Sequence, residues 1–125
     1  MKDDVVLILA YEGDMAVAGA LNFAGPQALY GRYWGTLVDR PFLHFEICYY
    51  QAIDAAIARG LQRVEAGAQG SHKLARGYEP VTTHSAHFIP HEGFRQAVAD
   101  YLRQERAGIG LQQEALREMA PFRKG

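Results

Sequence analysis

Residues 4–36 hold three apolar runs separated by two tight-turn signals, and this pattern constrains the fold more than any other feature. The run over residues 4–11 is rich in leucine and β-branched residues and reads as a buried strand. Gly13-Asp14 supplies a turn, Met15 to Phe23 resumes an apolar run of small residues, and Gly25-Pro26-Gln27 turns the chain again into Ala28 to Gly35. Three such strands on short connections can only neighbour one another as an antiparallel meander.

Beyond the meander the signals change character. After Asp39-Arg40-Pro41, Phe42 to Cys48 alternates, which predicts a strand with Phe42, His44, Glu46 and Cys48 on one face and Leu43, Phe45 and Ile47 on the other. Tyr50 to Arg59 reads as a helix stopped by Gly60. Leu61 to Ala68 returns to strand, which completes a strand–helix–strand unit of the kind that gives parallel pairing. Val81 to Ile89 is predicted as a further strand. His91 to Glu105 shows helical spacing of Phe94, Val98, Tyr101 and Leu102, Gly108-Ile-Gly110 interrupts, and Leu111 to Met119 reads as a second helix. The expected fold class is α+β: a mostly antiparallel sheet with one crossover helix and C-terminal helices, in one domain over residues 1–125 with a helical tail over 91–120.

Composition narrows the partners. Formal net charge is −1 and the basic residues are scattered, so nothing points to DNA or to an anionic membrane surface. The longest apolar run is far short of a membrane span. One cysteine, Cys48, leaves no internal disulfide framework and fits a reducing compartment, so the cytoplasm is the expected location.

Two clusters carry chemistry. His44 and Glu46, two apart on the predicted strand, would form an imidazole–carboxylate pair, suited to acid–base work or to metal ligation. An exposed strand face accounts for the same two residues about as well. Residues 65–80 pack Gln69, Gly70, His72, Lys73 and Arg76 close together beside Gly67. Lys73 and Arg76 suit a phosphate or carboxylate and Gln69 an amide or carbonyl, with a solvated loop as the plainer alternative. Trp34 and Tyr50 belong to an aromatic concentration with Tyr30, Tyr33 and Tyr49, which is either core or the lining of an apolar channel. His84 and His87, three apart on a predicted strand, would point to opposite faces, so no metal site is expected there. Neither a GxSxG nor a GxxxxGK[ST] pattern occurs.

The segments Tyr30-Gly-Arg-Tyr-Trp-Gly35, His44-Phe-Glu-Ile-Cys-Tyr-Tyr-Gln51, Gly67-Ala-Gln-Gly-Ser-His-Lys73 and Arg76-Gly-Tyr-Glu-Pro80 closely resemble the FemAB-like, GNAT-related proteins of peptidoglycan biosynthesis and recognition. The resemblance covers roughly residues 5–105. It implies a GNAT-like fold, of which this chain would be the C-terminal part, and transfer of an acyl or aminoacyl group to an amine. The donor would be acetyl-CoA or an aminoacyl-tRNA, the acceptor a small molecule or cell-wall precursor, and no metal is implied. In that scheme His44 and Glu46 are catalytic, and Trp34, Tyr50, Gln69, Gly70, His72, Lys73 and Arg76 bind substrate or donor. Two departures stand out. Position 71 is Ser where the family pattern has Glu, and Glu46 to Gln51 has no glycine through which backbone amides would close on a pyrophosphate. A non-catalytic assembly module on the same sheet is the alternative, and a homodimer is expected under either reading.

Overall fold

The computed structural model describes residues 2–67, 71–119 and 121. The chain divides into two compact units, residues 1–69 and 70–125.

The first unit begins with the meander that the turn signals predict: β1 (Val5–Glu12), β2 (Met15–Ala24) and β3 (Ala28–Thr36). β1 pairs antiparallel with β2, and β2 antiparallel with β3. Gly13, at φ 57°, takes the left-handed turn that joins the first pair. The Gly25 N–H donates to the Ala28 carbonyl at 2.8 Å to close the second turn. The register shifts between Leu21 and Asn22, where β2 meets β3.

The Phe42–Cys48 strand is not formed. The chain is helical from Leu43 onward, as α1 (Leu43–Phe45), a π-helical stretch (Glu46–Tyr50) and α2 (Gln51–Ala58) in succession. The apolar stripe explains both the outcome and why alternation misled. Leu43 and Ile47 are four apart, but the next buried positions on the core face are Ala52 and Ala56, so the stripe takes one step of five residues. That step is met by a π-type bond, the Gln51 N–H donating to the Glu46 carbonyl. Gly60 ends the helix as its position predicts. At φ 67° its N–H donates to Ile57 O at 3.0 Å, and Leu61 N–H donates to Ala56 O at 2.9 Å.

β4 is shorter than the 61–68 prediction, covering Arg63–Glu65, and pairs parallel with β3. The strand–helix–strand unit therefore exists, with β3 and not Phe42–Cys48 as its first strand. The sheet order is β1-β2-β3-β4. The helix covers one sheet face and burial concentrates there: Ala18, Ala20 and Ile47 in one cluster, Leu29, Ala52 and Ala56 in another. Small residues along β2 let the helix approach closely. On the opposite face Leu7, Leu9, Tyr11 and Tyr33 remain exposed.

In the second unit, Ser71–Arg76 forms a 3₁₀ turn in place of the expected loop. Val81 to Ile89 forms no strand; the segment has β-propensity but no partner among the described residues, and residues 81–88 are exposed. α3 (Glu92–Glu118) is one continuous helix of 27 residues, not two. The His91 side chain caps it, Nδ1 accepting from the Phe94 N–H at 3.1 Å. Gly108 and Gly110 each cost about 1 kcal/mol in a helix interior, and the strong helix formers on either side carry the helix through them. The whole is the GNAT-like α+β arrangement expected from the sequence. No helix among the described residues is long and apolar enough to cross a membrane.

Candidate functional site

The feature that organises the site is a fork in the sheet. β3 and β4 pair through three rungs, Ala28 with Arg63, Leu29 with Val64 and Tyr30 with Glu65. β3 then continues to Thr36 while β4 ends at Glu65. Among the described residues no other strand takes up the edge that β3 exposes from Gly31 to Thr36. A free strand edge is a row of backbone donors and acceptors, suited to an extended ligand that carries amides. Gly31 stands at the mouth: a Cβ there would lie 3.6 Å from the Glu65 carbonyl and 3.6 Å from Asn22 Oδ1. Asn22, almost fully buried, donates from Nδ2 to the Val6 carbonyl at 3.3 Å. Gly67, at φ 79°, turns the chain away past the end of β4.

Trp34 lies on the free length of β3, half-buried on the helix-covered face, and meets His44 edge to face at 5.2 Å between ring centroids. Tyr49 is buried 5.4 Å from the same imidazole, nearly perpendicular to it, and Phe45 lies at 5.6 Å. The imidazole is thus held by three aromatic rings while remaining half-exposed. The residue that starts this helix, Phe42, is the one described non-glycine at positive φ (65°). A bulky residue there costs of order 1–3 kcal/mol, and such strain together with a π-helical turn clusters at functional sites.

His44 and Glu46 do not share a face as the predicted strand would have required. Two residues along a helix turn the side chain by roughly 200°, and Glu46 is exposed, its carboxylate accepting from Gln51 Nε2 at 2.8 Å. Tyr50 is exposed, while neighbouring Tyr49 is buried. Cys48 is half-buried and burial pushes its thiol up to about 11, which removes it as a nucleophile at neutral pH.

The remaining predicted residues fall in the second unit or outside the described residues, as Gln69 and Gly70 do. Lys73 and Arg76 lie three apart on the 3₁₀ turn, where side chains at that spacing eclipse, so they share one edge. Both are half-buried, and His72 is exposed. Arg76 Nη1 donates to the His72 carbonyl at 2.9 Å, and burial lowers the Lys73 pKa. His84 and His87 are exposed, and His87 Nε2 lies 3.0 Å from Ser85 Oγ.

Sequence reasoning found Trp34 and His44 but not what joins them. The αL conformation of Phe42 and the π-turn leave no signal in residue type. The end of β4 is a pairing event that no local pattern encodes.

No curated protein and no solved structure matches the chain. The FemAB-like family, described as peptidoglycan biosynthesis/recognition, matches residues 1–124, a wider span than the shared motifs alone mark out. With nearly every residue inside that match, the chain belongs to the FemAB-like family.

Proposed function

We propose that this chain is a GNAT-fold acyl- or aminoacyltransferase domain acting on an amine. The observation that carries the reading is the fork. The edge of β3 from Gly31 to Thr36 offers hydrogen-bonding backbone to an extended donor, and His44 packs against Trp34, which lies within that length of strand. The acceptor amine attacks the donor's acyl carbon, His44 takes the proton that the amine sheds, and the donor's thiolate or hydroxyl departs. Edge N–H groups would steady the developing oxyanion. In the second unit, taken by itself, Lys73 and Arg76 share one edge of their turn and suit phosphate groups, with His72 on the same turn; Gln69 and Gly70, outside the described residues, are proposed as donor-binding from residue type alone. Glu46 and Tyr50, both exposed, would act at the periphery. The cytoplasm, where charged tRNA and coenzyme A are found, is the matching location.

A thermal-shift titration with coenzyme A and acetyl-CoA tests the donor. Ligand at a hundred times its dissociation constant adds about 2.7 kcal/mol. A saturable shift that disappears in Lys73→Ala supports the reading. No shift at millimolar ligand removes coenzyme A as donor, and aminoacyl-tRNA retention on the protein is then the deciding measurement.

A second reading, a non-catalytic assembly module, is favoured by one observation: β1 is an edge strand of eight residues without Lys or Pro, and Leu7, Leu9 and Tyr11 on it are exposed. It would act as a homodimer. Sedimentation equilibrium across the micromolar range tests this, and a strictly monomeric species would remove it.

A further inference from the structure

The side of the fork away from His44 carries a second cluster. Leu29 and Val64 pack under the helix, so their neighbours Tyr30 and Glu65 face the opposite way. Arg63, two residues before Glu65, shares that face, and its Nε donates to Glu65 Oε1 at 3.0 Å. Tyr30 is the cross-strand partner of Glu65, and after Glu65 its phenol is the other group that favours the charged form of the Arg63 guanidinium. The Tyr30 ring is seated on Gly25, where a Cβ would come within 3.1 Å of its Cε2. Guanidinium, carboxylate and phenol thus meet at the last rung before the strands part. Phe23 is paired with Tyr30, and Leu21 with Tyr33, so the same face continues as an apolar floor.

Stability is a poor reason for this arrangement. The Arg63 and Glu65 side chains keep 55% and 34% of their exposure, and ion pairs that wet contribute little. A guanidinium has five N–H donors and a carboxylate two accepting oxygens, so one bond between them leaves most of their capacity pointing outward. What the pair offers is two opposite charges side by side. The complementary ligand also has two opposite charges side by side, and an α-amino acid, whose ammonium and carboxylate share one carbon, has that spacing. An ω-amino acid, with its charges far apart, does not.

We propose that Tyr30, Arg63 and Glu65 form a binding site for the zwitterionic head of an α-amino acid, Arg63 taking the carboxylate and Glu65 the ammonium, with an apolar side chain laid on Phe23 and Tyr33. That the bound amino acid is the acceptor rests on the acyl-transfer reading; that it binds does not.

The test is a chemical-shift titration of the ¹⁵N-labelled chain, followed at the Tyr30, Gly31, Glu65 and Ala66 amides, with three probes: L-leucine, N-acetyl-L-leucine and L-leucinamide. L-Leucine should saturate with a dissociation constant at least about tenfold below that of either probe lacking one charge. In Glu65→Gln, L-leucine should bind no better than N-acetyl-L-leucine, and in Arg63→Gln no better than L-leucinamide. A salt titration of the unaltered protein, which should weaken L-leucine binding, provides a readout that needs no variant to fold. Equal binding of the three probes, no shift at these amides, or indifference to salt would overturn the site. The coenzyme A titration is independent of these probes, so failure of the donor reading and failure of this site are separately visible.

Discussion

At the scale of single residues, four positions give measurable consequences. Burial holds the Cys48 thiol at about 11 against an ordinary 9.0, so at pH 8 its thiolate is about a hundredfold scarcer than in the unfolded chain. Iodoacetamide should therefore alkylate the native protein about a hundredfold more slowly than the denatured one. The same shift makes stability depend on pH. The unfolded thiol loses its proton through pH 9 and the folded one only near 11, so the contribution is full below 9 and is lost as pH rises through 11. The urea midpoint should fall more between pH 8 and 10.5 in the native sequence than in Cys48→Ala. Leu29, fully buried between β2, β4 and α2, should cost about 2–5 kcal/mol on truncation to Ala, read from the same urea curves. His44→Asn, measured once a donor is in hand, should lower kcat by about 10²–10⁴ with KM little changed, whereas Glu46→Gln should leave most of the turnover. Equal losses would return Glu46 to the chemistry. His44 was identifiable from residue type alone. Its aromatic setting was not, because Trp34 reaches it only through packing of the helix on the sheet and Tyr49 only through the helix.

At the scale of elements, the turns were readable and one strand was not. Gly13 and Gly60 do what their chemistry dictates, since a left-handed turn or C-terminal stop excludes most other residues, and Gly25 closes its turn through its N–H to the Ala28 carbonyl. Phe42 to Cys48 failed because Leu43 and Ile47, four apart, fit both alternation and a helical stripe over seven positions. Val81 to Ile89 failed for a different reason: propensity makes a strand only where a ladder exists to receive it. α3 invites a direct test. Nothing lies within 4 Å of a Cβ built on Gly108 or Gly110. Gly108→Ala and Gly110→Ala should each therefore stabilise the helix by up to about 1 kcal/mol, visible as increased ellipticity at 222 nm and a higher melting midpoint of that signal. Loss of ellipticity in either variant would mean that a bend at those glycines is required.

At the scale of the molecule, fold class was within reach of pattern and chemistry, and the candidate site was not. Hydrophobic runs and turn residues are local properties, and they were enough to specify a three-stranded meander, a crossover helix ended by Gly60, and an amphipathic C-terminal helix. Acid–base and anion-binding candidates could be named for the same reason, since side-chain chemistry is written in residue type. Which of them meet depended on long-range pairing. β4 stopping at Glu65 opens the edge of β3, strand alternation separates a His44 side from a Tyr30–Arg63–Glu65 side, and the helix on the sheet brings the imidazole to Trp34. The Trp34–His44 contact and the pairing of Tyr30 with Glu65 join residues at least ten positions apart, and such contacts form only when the sheet and its covering helix bury their apolar faces together. Local patterning therefore selected the elements, and the shared burial of those elements decided where a ligand can enter.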